Sequence, residues 1–171
     1  MAASKNTFLD LLASSKKPLL GDGAMGTMLN ARGANFDQCF DALNYKAPDL
    51  VENIHRAYIE AGSQVIQTNT FGANRYKLAA FGLEDQVAEI NRLGVALARR
   101  AIEASNKDAL VAGDIGPLGV RLAPFGRIGR EEASQAFAEQ VKALFQAGAP
   151  VIRPKCIGSG HGNAGLGFPQ K

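Results

Sequence analysis

The chain has 171 residues, 46% hydrophobic and 20% charged, with a formal net charge of +3, the composition of a soluble globular domain. No Lys/Arg cluster is interleaved with aromatic residues, which argues against a nucleic-acid binder. No apolar run reaches the roughly 20 residues that a membrane span requires. Two cysteines, Cys39 and Cys156, cannot build a disulfide framework, and nothing resembles a secretory signal, so a reducing, cytoplasmic setting is expected.

A repeat emerges in chain order. Residues 1–17 read as a lead-in helix with Phe8, Leu9, Leu11 and Leu12 as its apolar run. A first short strand, residues 18–22, opens into Gly23-Ala24-Met25-Gly26-Thr27. A helix is predicted to start near Pro48, with Asp49 in its first turn. Leu50, Val51, Ile54, Ala57, Tyr58 and Ala61 form one apolar stripe along it, and Gly62 suits the position just past its end. His55, beside the stripe, reads as a partly buried helix histidine. A second strand, 64–68, opens into Asn69-Thr70-Phe71-Gly72, and its helix carries Leu83, Val87, Ile90 and Leu97. Arg99-Arg100 reads as a solvated helix end. A third strand, 109–114, opens into Ile115-Gly116-Pro117. Its helix begins after Gly129, faces Ala133, Phe137, Val141, Leu144 and Phe145 inward, and stops at Gly148.

Strands alternating with helices imply right-handed βαβ units and a parallel sheet. Periodicity does not separate an open doubly wound sheet from a barrel. The polar or glycine-containing turn after every strand favours the barrel, which places its sites at that face; an open sheet has one or two such turns, at its switch point. A closed barrel takes about 250 residues and rarely fewer than roughly 200. The expectation is therefore an α/β fold, a partial (β/α)8 TIM barrel of about three to four β/α units.

The turns carry the candidate chemistry. Asp22 either holds an ammonium group, with the following glycine letting backbone N–H groups approach an anion, or caps its own turn as Asx residues do. Thr68, Asn69 and Thr70 offer polar groups at the second strand end, for a ligand or for local backbone. Asp114, Gly116 and Pro117 end the third strand, as a site or as a rigid turn. Cys39 has no His or Cys at ligand spacing and reads as a lone buried thiol. Residues 160–165 match G-x-G-x-x-G formally, but no helix follows on which a phosphate could sit.

Three motifs in order, Gly21-Asp22-Gly23-Ala24-Met25-Gly26-Thr27, Gln67-Thr68-Asn69-Thr70-Phe71-Gly72-Ala73-Asn74 and Gly113-Asp114-Ile115-Gly116-Pro117-Leu118-Gly119, resemble signature turns of homocysteine S-methyltransferases. The likeness runs from about Leu19 to Gly148. It implies a zinc-dependent barrel that transfers a methyl group to homocysteine, giving methionine. The metal would bind the substrate sulfur, and a coordinated thiol becomes a thiolate nucleophile. Three cysteine thiolates hold zinc in that family, one in a later strand region and an adjacent pair near the barrel's end. By position, Asp22 with the Gly23 and Ala24 backbone would grip the amino acid, and Asn69, Thr70 and Asp114 would line the pocket. The methyl donor would be folate, betaine or S-methylmethionine, whose users share this front half.

The resemblance also implies a fourth apolar strand ending in a Glu-containing turn. Here Pro150 and Pro154 bracket that stretch, which argues against a central strand, and no acidic residue follows Glu139. Residues 150–171 are Gly/Pro-rich and expected to be disordered. Neither Cys39 nor Cys156 falls at a zinc-cysteine position, so no metal ligand and no catalytic residue is expected in this chain. The expectation is a truncated or frame-altered product, inactive alone. The alternative is a non-enzymatic amino-acid-binding or assembly half-barrel, whose exposed edges would favour self-association.

Overall fold

The computed structural model describes residues 8–154. The elements run α1 (Phe8–Ser14), α2 (Met25–Ala31), α3 (Leu43–Lys46), α4 (Pro48–Glu60), β1 (Val65–Gln67), α5 (Arg75–Ala79), a 3-10 turn (Glu84–Gln86), α6 (Val87–Ser105), β2 (Leu110–Ile115), α7 (Arg130–Gln146) and β3 (Val151–Pro154). α1 covers part of the expected lead-in helix; residues 1–7 lie outside those described. Among the described residues no helix is long and apolar enough to cross a membrane.

Local chemistry sets the helix ends. Pro48 occupies the first turn of α4, where its missing N–H costs nothing, and Gly62, just past that helix, takes φ +105°, which only glycine adopts without strain. Glu132 reaches back to accept from the Gly129 N–H at 2.8 Å, capping α7.

The sheet is parallel, in the order β1-β2-β3, and an isolated parallel bridge pairs Gly21 with Val65 on the far side of β1. Sheet order thus follows chain order with no reversal among the described strands. A doubly wound sheet would need that reversal; a barrel does not. Ile66, Val111 and Ile115 pack against Ile59 of α4, Val95, Ala98 and Ala101 of α6, and Leu144 of α7. Burying each large aliphatic in that layer contributes roughly 1.5–3 kcal/mol. Because side chains alternate along a strand, Gln67, Ala112 and Asp114 face the other way, toward what is a barrel's interior.

Three expectations need correction. The first strand, expected over 18–22, contracts to the Gly21 bridge and bonds from Gln64 N and Val65 N to Leu20 O; Pro18 has no N–H to extend the ladder. Residues 151–154 do enter the sheet, with Ala112 opposite Val151 and Ile115 opposite Pro154. Pro150 precedes this strand and Pro154 is its last residue, at the edge of the described sheet, where prolines are tolerated. Phe145 does not face inward but is 70% exposed. The buried stripe of α7 runs through Ala133, Ala136, Gln140, Ala143 and Leu144, and Phe145 lies a further 100° round the helix. Residues 155–171, with Cys156, His161 and the rest of the tail expected to be disordered, lie outside the described residues.

Candidate functional site at the strand ends

The first turn is built on a carboxylate held by its neighbour strand. Asp22 N donates to Val65 O at 3.0 Å, fixing the backbone beside β1. The half-buried carboxylate then accepts from Gln67 twice, Oδ2 from the backbone N–H at 2.8 Å and Oδ1 from Nε2 at 2.5 Å. Gln67 is itself buried, and its Oε1 has no hydrogen-bond partner among the described residues. Tyr58, from α4, donates its hydroxyl to Ala24 O at 3.3 Å. A Cβ on Gly23 would lie 2.8 Å from that hydroxyl oxygen, so any larger residue after Asp22 would have to push the Tyr58 ring aside. Burial, and then the Asp22 charge, push the Tyr58 hydroxyl above the usual phenol range.

The second and third turns form a closed knot. Asp114 N donates to Thr68 Oγ1 at 3.0 Å, and Thr70 Oγ1 donates to Asp114 O at 2.8 Å. With the Thr70 proton so used, the 2.6 Å contact between the two hydroxyls must be donated by Thr68. The chain of bonds starts and finishes on Asp114. Asn69 Nδ2 donates to Phe40 O at 2.8 Å and to Asn44 Oδ1 at 3.1 Å, while Asn44 Nδ2 donates to Asn69 O at 2.8 Å. Gln140 Nε2, from α7, donates to Thr70 O at 2.8 Å. Asn69, Thr70 and Asp114 are all buried.

Asp41 closes this knot from outside. Its Oδ1 accepts from Gly72 N at 2.9 Å, and a Cβ on Gly72 would meet its Oδ2 at 2.5 Å. On the other side Gly116 N donates to Phe71 O at 3.0 Å, and Lys77 Nζ lies 4.7 Å above the Phe71 ring. Burial pushes the Asp41 carboxyl up to about 6, with Asp114 adding to the rise, against the Gly72 N–H and the Lys77 charge.

The structure therefore brings Asp22, Gly23 and Ala24 together with Gln67 and Tyr58, and ties Asn69, Thr70 and Asp114 into a separate buried network. Gln67, Tyr58, Asp41, Asn44 and Gln140 were not singled out from sequence. Only Gln67 had a readable signal, a polar residue alternating with apolar Ile66 in a strand. His55 is fully buried rather than partly, and neither ring nitrogen has a hydrogen-bond partner among the described residues; burial lowers its pKa to about 4. Cys39 is buried and free, packed with Ala42, Leu78 and Ile90, and burial raises its thiol. A groove of about 580 Å³ between α5 and α7, flanked by the Arg75–Glu139 ion pair, includes none of the strand-end residues. Among the described residues no three His, Cys, Asp or Glu side chains are grouped to hold a metal.

A parallel sheet in chain order, helices packed on one face and polar groups gathered at its carboxyl ends define a segment of a β/α barrel. The chain belongs to the homocysteine S-methyltransferase family, whose model matches residues 19–157, past the prolines at which the resemblance had been expected to break. It is 37% identical over 164 residues to the homocysteine S-methyltransferase of Escherichia coli, covering 87% of this chain and 53% of that protein. It is 34% identical over 164 residues to the methionine synthase of Mycobacterium tuberculosis, covering 88% of this chain and 14% of that protein. The crystal structure of the E. coli homocysteine methyltransferase MmuM in its metallated form superposes with a TM-score of 0.74 at 32% identity, covering 86% of this chain and 56% of that one. The chain thus spans about half the length of the E. coli relative and a smaller share of the mycobacterial one.

Proposed function

We propose that this chain forms the amino-acid-binding front of a homocysteine S-methyltransferase, in which the homocysteine thiol accepts a methyl group and becomes methionine. The observation that carries this reading is the Asp22 carboxylate, oriented by two Gln67 N–H groups at a strand's carboxyl end in a chain of this family. An ionised carboxylate there pairs with the substrate ammonium, and the Gly23 and Ala24 backbone lies next to it for the substrate carboxylate. Asn69, Thr70 and Asp114 shape the wall behind rather than spending side-chain donors on ligand. The methyl donor belongs to the folate, betaine or S-methylmethionine class, and cytoplasmic action is part of the same reading.

A metal bound to the substrate sulfur supplies thiolate character near neutral pH, and zinc is the metal the resemblance implies. The described residues do not fit it, since no group of three suitable side chains is present among them. We place its thiolate ligands outside residues 8–154 and expect no methyl transfer from the described residues alone. A second reading, an assembly half-barrel that self-associates, is favoured by the exposed Phe145 and is tested by sedimentation velocity across a concentration series.

Isothermal titration of the 171-residue chain with L-homocysteine tests the main reading. Saturable binding that D22N weakens at least roughly tenfold, the worth of a charge-assisted contact, is expected. An absence of binding, or binding indifferent to D22N, sinks it.

A further inference from the structure

We infer that Gln67 is the positioning residue for Asp22: its two N–H groups hold the carboxylate in the orientation that receives a ligand's ammonium group. This deepens the homocysteine reading above and rests on it.

The inference starts from an amide that is satisfied on one side only. Gln67 Nε2 and N each donate to a different oxygen of Asp22, whereas Gln67 Oε1 is enclosed without a partner among the described residues. Rotating the amide by 180° would set Oε1 against Asp22 Oδ1, acceptor against acceptor. The observed orientation is therefore imposed by Asp22, and it leaves a buried carbonyl unpaired among the described residues, which is unfavourable by itself. Asp22 is only half-buried, so water could hydrate its oxygens if the amide let go, and solvation of the charge alone does not require this arrangement. What the two donors add is a fixed direction. Gln67 lies on a paired strand, opposite Ala112, and Ile66 beside it is locked in the core. A carboxylate clamped from such a strand loses little freedom when an ammonium arrives. Donors on both oxygens also favour the ionised form that the ammonium needs.

The test is a double-mutant cycle on the 171-residue chain. L-Homocysteine is titrated calorimetrically into the parent, Q67M, D22N and D22N/Q67M. Q67M keeps the length and the backbone donor but loses Nε2, and should weaken binding roughly tenfold. The double variant should bind no more weakly than D22N, because Gln67 acts only through Asp22. Parent-like affinity in Q67M, or losses that multiply, overturns the inference. Q67N, whose shorter amide cannot reach Oδ1, serves with the same expectation if Q67M does not fold. Carbon-13 titration of the Asp22 carboxyl separates the two proposals. A parent that binds no homocysteine removes the substrate reading. An Asp22 pKa that rises in Q67M still upholds the positioning role, and one that stays put defeats it.

Discussion

The turn after the Gly21 bridge and the turn after β1 are both polar and glycine-containing, yet their polar groups go to different uses. In the first, Asp22 stays half-buried, held by Gln67. In the second, Thr68, Asn69 and Thr70 are buried and closed onto Asp114, Phe40 and Asn44. The same vocabulary is closed into the fold in one place and, on the proposed reading, left for a ligand in the other. What decides between them is whether neighbouring backbone arrives to take up the donors. The 68–74 turn meets both the 38–44 segment and the end of β2, so its hydrogen bonds are internal; the 22–24 turn is held by β1 and Tyr58.

The sharpest way to break this contrast is Gly116→Ala. Its Cβ would lie 2.5 Å from Phe71 O, a backbone atom that cannot rotate away, so a loss of about 3 kcal/mol in urea unfolding is expected. Thr70→Val keeps the shape but strands Asp114 O and the Thr68 hydroxyl, and should cost about 2 kcal/mol of stability. Asp22→Asn is expected to do the reverse of both. Homocysteine affinity falls roughly tenfold, while stability changes by less than about 1 kcal/mol, because the Gln67 amide can turn over and pair with the new amide. A large loss of stability in D22N would mean that the first turn, too, is structural.

The smallest effect is electrostatic. Asp41 has its folded-state carboxyl raised from 3.8 to about 6, so the folded chain binds more protons in that window. Its contribution is present below the window and is lost as pH rises through about 6. His55, lowered from 6.5 to about 4, acts in the opposite sense, and its contribution is lost as pH falls through that range. The two overlap, so Asp41→Asn is best measured with His55→Leu already in place. There it should flatten the acid limb and stabilise the chain by about 1 kcal/mol at pH 7, since an amide oxygen still accepts from Gly72 N. An unchanged limb would show that the second turn is not tensioned by charge.

Much of the fold was readable in advance. Helices α4, α6 and α7 follow apolar stripes, α4 and α7 with glycine or proline at their ends, and β1 and β2 follow short apolar runs, because 3.6- and 2-residue periods are local properties. The misreadings share a cause. Phe145 was placed inward because an aromatic on an amphipathic helix usually is, but the stripe is set by small residues and by Gln140, whose partner is Thr70 on a distant turn. Prolines 150 and 154 read as breakers because their edge position depends on pairing with β2. Asp41 had no signal at all, since it sits in a loop and acquires its role only where Gly72 comes to meet it.

What the amino-acid order determined by itself, then, is the alternation of strands and helices, the polar composition of each strand end and the resemblance that led to the family. The tertiary structure decided which of those polar groups face one another. Hydrogen bonds between residues some 45 positions apart, Gln67 with Asp22 and Thr70 with Asp114, exist only once parallel strands are in register. That register, set by outward Ile66 and Val111 seeking the same helical layer, separates a half-buried carboxylate held by one strand from a buried knot that ties two turns together.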